Sequence, residues 1–201
     1  DGFDDLWFVD LASVTDPARV AEAIARAAGL DGAIRSPRDV AIAIAHRRAV
    51  VVLDNCEHVL EAASDVVDEL ASACPNLRVL ATSREPLLVS GEYVVKVPTL
   101  DPASDGVDLF EQRAAASGVH LDPAHATTIT RICERLGGLP LAIELAAARV
   151  PMFCLHGVEA LLDRPFEVLV TRSRGGDARH RTMHAAIDWS YRLLDQAERR
   201  L

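Results

Sequence analysis

The run Ala49-Val50-Val51-Val52-Leu53-Asp54-Asn55-Cys56-Glu57-His58 constrains the fold more than any other stretch of the chain. Four consecutive branched apolar residues, Val50 to Leu53, predict a strand buried on both faces. Strands of that kind belong to parallel sheets, whose ligands collect outside the carboxyl ends. Asp54 falls at that end. A carboxylate there suits Mg²⁺, bound directly or through a water. A buried strand followed by an Asp/Asn helix cap accounts for the same residues, since both types are favoured caps.

The flanking pattern alternates strands with capped helices. Leu6-Trp7-Phe8-Val9-Asp10-Leu11 predicts a strand close to the first residue. Asp16-Pro17 supplies a cap and a proline at the first helical position, and Val20, Ala23, Ile24, Ala27 and Ala28 form an apolar stripe ended by Gly29. Ser36-Pro37 repeats the device ahead of Val40, Ala41, Ile44 and Ala45. After Asp54, Val59, Leu60, Ala63, Val66, Val67, Leu70 and Cys74 recur at helical spacing, with Glu57, Glu61, Asp65, Asp68 and Glu69 on a solvated face. Leu77 to Ala81 then predicts a strand ending in Thr82-Ser83-Arg84. Hydroxyls and a guanidinium at a strand end suit a terminal phosphate, although a surface loop arginine fits as well. Tyr93-Val94-Val95-Lys96-Val97-Pro98 predicts one more strand, stopped by proline. Alternation of this kind requires an α/β fold with a parallel sheet.

From about Asp101 the pattern is helical only. Val107, Leu109, Phe110, Arg113 and Ala114 mark one helix, and Asp122-Pro123 caps another through Ile129, Ile132, Cys133 and Leu136. Gly137-Gly138-Leu139-Pro140 forms a tight junction, with Pro140 in the first turn of the next helix. Further helices are expected at Gly157 to Leu162 and Thr182 to Leu194. Arg172, Arg174, Arg179 and Arg181 surround Gly175-Gly176, either as a solvated linker or as an anion or partner contact.

Composition narrows the function. Half of the 201 residues are apolar, enough to bury the core of an α/β domain and a smaller appended one. A formal net charge of −9 argues against nucleic-acid or anionic-membrane binding by this segment. No apolar run has the length of a membrane span and Asp1-Gly2-Phe3-Asp4-Asp5 carries no basic leader, so the expected location is the cytoplasm. Cys56, Cys74, Cys133 and Cys154 lack metal or disulfide spacing and are expected as small core residues.

Four blocks carry a family resemblance: Val51 to His58, Leu77 to Leu87, Gly138 to Arg149 and Ala186-Ile187-Asp188-Trp189-Ser190-Tyr191. Their order and spacing resemble the NB-ARC module, a STAND-class, AAA-like P-loop ATPase unit of large bacterial transcriptional regulators of the LuxR and SARP types. The resemblance covers essentially the whole chain. It implies an α/β core over residues 1–100 with a parallel P-loop NTPase-type sheet, a helical lid over 101–175, and the start of a winged-helix domain over 176–201. It also implies an ATP/ADP-dependent signalling switch whose partners are the DNA-binding and sensor domains of the same regulator.

Transferred onto this sequence, Asp54 resembles the Mg²⁺-coordinating Walker B acid, and Asn55 stands where relatives often place a second acid. An asparagine is no general base, so the implied hydrolysis is slow or depends on Glu57, and no catalytic residue is assigned. Arg84, after Thr82 and Ser83, resembles the sensor arginine that reads the terminal phosphate. Pro140 resembles the lid proline that packs on adenine. The departure is the missing G-x-x-x-x-G-K-S/T: Lys96 is the only lysine and is followed by valine. The chain therefore reads as cut ahead of Walker B, without Walker A and without the first strand of its sheet, which would lie between the Leu77 to Ala81 and Val94 to Val97 strands. ATP, ADP and Mg²⁺ are expected in the full regulator, with none held tightly by this chain, and the bared strand edges favour self-association. The competing expectation is a degenerate NTPase-fold scaffold for protein contacts.

Overall fold

The computed structural model describes residues 2–30, 34 and 36–162. The expected helix at Thr182 to Leu194, the arginine cluster from Arg172 to Arg181, the winged-helix start at 176–201 and the last part of the lid, 163–175, lie outside the described residues. The chain divides into two compact units, Asp1–Val95 and Lys96–Leu201.

The first unit is mixed α/β. Strand β1 (Asp5–Asp10) is followed by helices α1 (Val20–Ala27) and α2 (Pro37–Ile44), then β2 (Ala49–Asp54), α3 (Leu60–Ala73) and β3 (Arg78–Ala81). The three strands form a parallel sheet in the order β1-β2-β3. The caps act as their residue types require. Asp16 accepts from the Ala18 N–H. Ser36 and Asp39 form a reciprocal capping box that spans Pro37 at the first helical position.

Both crossovers, β1 to β2 and β2 to β3, step across the sheet in the same direction. Right-handed connections therefore bring α1, α2 and α3 to one face. Trp7, Val9, Ala49, Val51 and Leu53 are buried in one core with Val20, Ile24, Val40, Ile44, Val66 and Leu70. The opposite side of β2 is different: Val50 and Val52 are only half-buried, beside the exposed Leu6, Phe8 and Leu80. The expectation of a strand buried on both faces is corrected accordingly. No crossover among the described residues runs back the other way to cover that side.

A second correction concerns Tyr93 to Pro98, which forms no strand. Tyr93 is 88 % exposed and Val97 90 %. β-branched residues favour strands only through cross-strand neighbours, and here no described strand pairs with them.

The second unit is helical: α4 (Asp105–Ala116), α5 (Ala126–Arg135), α6 (Pro140–Ala147) and α7 (Val150–Leu161). Its core holds Phe110, Ile129, Ile132, Cys133, Ile143 and Val158. The α5–α6 junction depends on Gly138, whose φ is +66° and whose added Cβ would lie 2.2 Å from the Leu100 carbonyl oxygen. The Gly138 carbonyl in turn accepts from Leu100 N–H at 2.9 Å. Helix α7 begins well before the expected Gly157. It breaks at Cys154, where φ is 52°, and that break interrupts the periodicity that would turn the side chain inward. Cys56, Cys74 and Cys133 are buried as expected, but Cys154 is exposed. No helix among the described residues is long and apolar enough to cross a membrane.

Candidate functional site

The candidate site is built at the carboxyl edge of the sheet. Parallel register brings Asp10 at the end of β1 opposite Asp54 at the end of β2. Beyond β3 the ladder continues by one step: Thr82 N–H donates to the Leu53 carbonyl at 2.9 Å, and Cys56 N–H donates to the Thr82 carbonyl at 3.0 Å. These bonds hold Thr82 against the Asp54-Asn55 corner.

The corner closes into a ring of hydrogen bonds. The Thr82 hydroxyl donates to Asp54 Oδ1 and accepts from the Asn55 backbone N–H at 3.0 Å. Asn55 Nδ2 donates to Asp54 Oδ2 at 3.3 Å. Both carboxylate oxygens are thus engaged inside the protein. Asn55 has φ 64° and ψ 55°, the left-handed conformation that asparagine tolerates better than most residues. Its side chain makes no cap bond to the following helical turn, so it serves Asp54 and does not act as a helix cap.

The remaining sequence-designated residues are distributed as follows. Ser83 is half-buried, and its hydroxyl accepts from Glu85 N–H at 3.3 Å. Arg84 is exposed on the same connector. Pro140 occupies the first turn of α6 in the second unit, exposed beside Leu139. The structure therefore brings Asp54, Asn55 and Thr82 into contact, with Ser83 and Arg84 following directly in the chain.

Two residues at this edge were not designated from sequence. Asp10 accepts from Ala12 N–H at 2.8 Å, shaping the exit turn of β1. His58 Nε2 lies 2.9 Å from the Leu11 carbonyl and 3.0 Å from the Val14 carbonyl. The only sequence signal for either is position, an acid ending a strand and a histidine one turn past another strand end.

Chemically, the corner offers oxygen ligands, the Asp54 carboxylate and the Thr82 hydroxyl. The Cys56 thiol is pushed up to about 12 by burial, with the negative charges of Glu57 and Asp54 adding to the effect, so it stays protonated and inert at neutral pH. No group of three or more His, Cys, Asp or Glu side chains among the described residues is placed to hold a metal ion. One carboxylate with a hydroxyl beside it fits Mg²⁺ only where waters and substrate phosphates supply the other ligands, as that ion prefers.

No family model matches the chain. It is 44% identical over 199 residues to "Putative HTH-type transcriptional regulator Rv0890c" of Mycobacterium tuberculosis, a match covering 97% of this chain and 23% of that protein. The Mycobacterium bovis protein "Putative HTH-type transcriptional regulator Mb0914c" matches equally. A second M. tuberculosis relative, "Uncharacterized protein Rv0894", is 35% identical over 199 residues, covering 97% of this chain and 51% of that protein. The chain thus spans 23% of the length of the first relatives and 51% of the second, and proteins similar to it include two named as transcriptional regulators.

Proposed function

We propose that the chain is part of a transcriptional regulator and serves there as an NB-ARC-type, nucleotide-responsive switch module. The observation that carries this reading is the meeting of Asp54, Asn55 and Thr82 at the carboxyl edge of a parallel sheet, where α/β folds take their ligands. The similarity to proteins named as HTH-type regulators supports the regulatory setting. In this reading residues 1–100 are a P-loop NTPase-type core, 101–175 a lid and 176–201 the opening of a winged-helix domain. A P-loop and one further strand come from elsewhere in the polypeptide. Asp54 would hold Mg²⁺, Thr82 and Ser83 would line the phosphate side, Arg84 would read the terminal phosphate and Pro140 would meet the base. The bound nucleotide supplies the phosphate charge; the chain supplies the orienting groups.

A second reading, a scaffold of NTPase fold without nucleotide activity, is favoured by one observation: both oxygens of Asp54 are already engaged by Thr82 and Asn55. Calorimetric titration with ATP·Mg²⁺ and ADP separates the two. The 201-residue chain alone should bind neither tightly, because a P-loop's backbone N–H groups and lysine provide most phosphate recognition. A longer polypeptide containing G-x-x-x-x-G-K-S/T should bind both. In it Arg84→Ala should weaken ATP roughly tenfold or more beyond its effect on ADP, as expected for a charge-assisted contact of ~1.5–3 kcal/mol. No binding by the longer polypeptide favours the scaffold. Equal losses for both nucleotides remove Arg84 from the phosphate.

A further inference from the structure

We propose that His58 is a latch: in its Nε2–H form it fastens the exit turn of β1, Leu11 to Val14, onto the turn that follows Asp54 at the end of β2. Both groups within reach of Nε2 are backbone carbonyls, at 2.9 and 3.0 Å, and carbonyls only accept. Nε2 must therefore carry the hydrogen and share it between them. The other ring nitrogen, Nδ1, is buried and has no hydrogen-bond partner. A hydrogen placed on Nδ1 would find no acceptor there, so the surroundings select the Nε2–H tautomer and give the ring one task.

The task is non-local. His58 reaches 47 residues back to Leu11 and 44 back to Val14. At that point the sheet ends: Asp10 and Asp54 are the last paired residues of β1 and β2, and past them one strand turns toward α1 while the other enters α3. The turn has three ties of its own. Leu11 N–H donates to the Asp54 carbonyl at 3.0 Å and Val14 N–H to the Leu11 carbonyl at 2.8 Å, while Ala12 N–H donates to Asp10. Among the described residues, His58 supplies the only side-chain donor on the Leu11 and Val14 carbonyls.

Asp54 thus lies between two separate fastenings. On the β3 side it is held by the Thr82 and Asn55 ring; on the β1 side the turn beside it is held by His58. Releasing the latch opens the strand edge on the β1 side and leaves the β2–β3 ring in place. This holds whatever ligand the edge takes, including none.

The test uses the complete 201-residue chain. Nitrogen-15 imidazole spectra should show the hydrogen of the neutral ring on Nε2; the Nδ1–H tautomer overturns the proposal. Amide hydrogen exchange then compares two variants. His58→Phe fills the ring volume without a donor, and should raise exchange at Leu11, Ala12 and Val14 about tenfold while β2 and β3 amides keep wild-type rates. His58→Gln places a two-hydrogen amide nitrogen near the position of Nε2 and should restore protection. Unchanged exchange at the turn in His58→Phe, or an equal rise throughout the sheet, overturns the latch. Should His58→Phe fail to fold, the tautomer and the His58→Gln exchange pattern still decide.

Discussion

Thr82 uses its hydroxyl twice, as donor to Asp54 and as acceptor from the Asn55 N–H. Thr82→Val keeps the shape and removes both bonds, leaving one carboxylate oxygen and one backbone N–H to find water beside an exposed side chain. The expected loss is about 1–2 kcal/mol of unfolding free energy, with Thr82→Ser within a few tenths of wild type. Denaturant titration checks it, and equal stability of Val and Ser variants would mean the ring contributes nothing. The positions of Asp54, Asn55 and Thr82 were legible in the sequence because apolar runs end there and parallel strands bring their ends together. His58 was not legible as a tether. Its partners are backbone carbonyls, which leave no trace in residue type, and they lie 44 and 47 residues away.

At the scale of elements, the helices followed from local chemistry. Caps at Asp16, Ser36 and Asp122 and first-turn prolines at Pro37 and Pro140 act within a few residues, so sequence alone exposes them. Strands need partners: the runs that became β1, β2 and β3 pair with one another, and the reading failed on two points where a partner or a cover was assumed. Tyr93 to Pro98 has the pattern of a strand without a paired neighbour, and β2 has one covered face instead of two. Strand β3 shares this condition, since among the described residues only one of its edges is hydrogen-bonded. Leu80 on β3 is 59 % exposed, an apolar group on an open edge strand, which is the arrangement that promotes association. Leu80→Lys should therefore reduce concentration-dependent self-association in sedimentation velocity while shifting the unfolding midpoint little, because no buried contact is lost. Identical association of variant and wild type would exclude this edge as the contact.

At the scale of the whole molecule, each unit keeps thiols in its core, Cys56 and Cys74 in the first and Cys133 in the second, and Cys56 and Cys133 are the two with large pKa shifts. Both are held protonated: Cys56 is pushed up to about 12 and Cys133 to about 11, from an ordinary 9.0, chiefly by burial. The direction fixes the pH dependence. Below pH 9 folded and unfolded chains both bind the proton, and the thiols leave stability unchanged. Above it the unfolded chain ionises while the folded chain cannot, so stability falls as pH rises from about 9 toward the folded values. At pH 10 the loss should be about 1 kcal/mol for each thiol, relative to neutral pH. Comparison with Cys56→Ala and Cys133→Ala isolates these contributions from every other titrating group. Each alanine variant should lose less stability between pH 7.5 and pH 10 than wild type does, in the transition of its own unit, even where its starting stability is lower. Guanidinium unfolding at the two pH values measures this, and parallel pH slopes for wild type and both variants would show that the buried thiols do not set the alkaline limit of the fold.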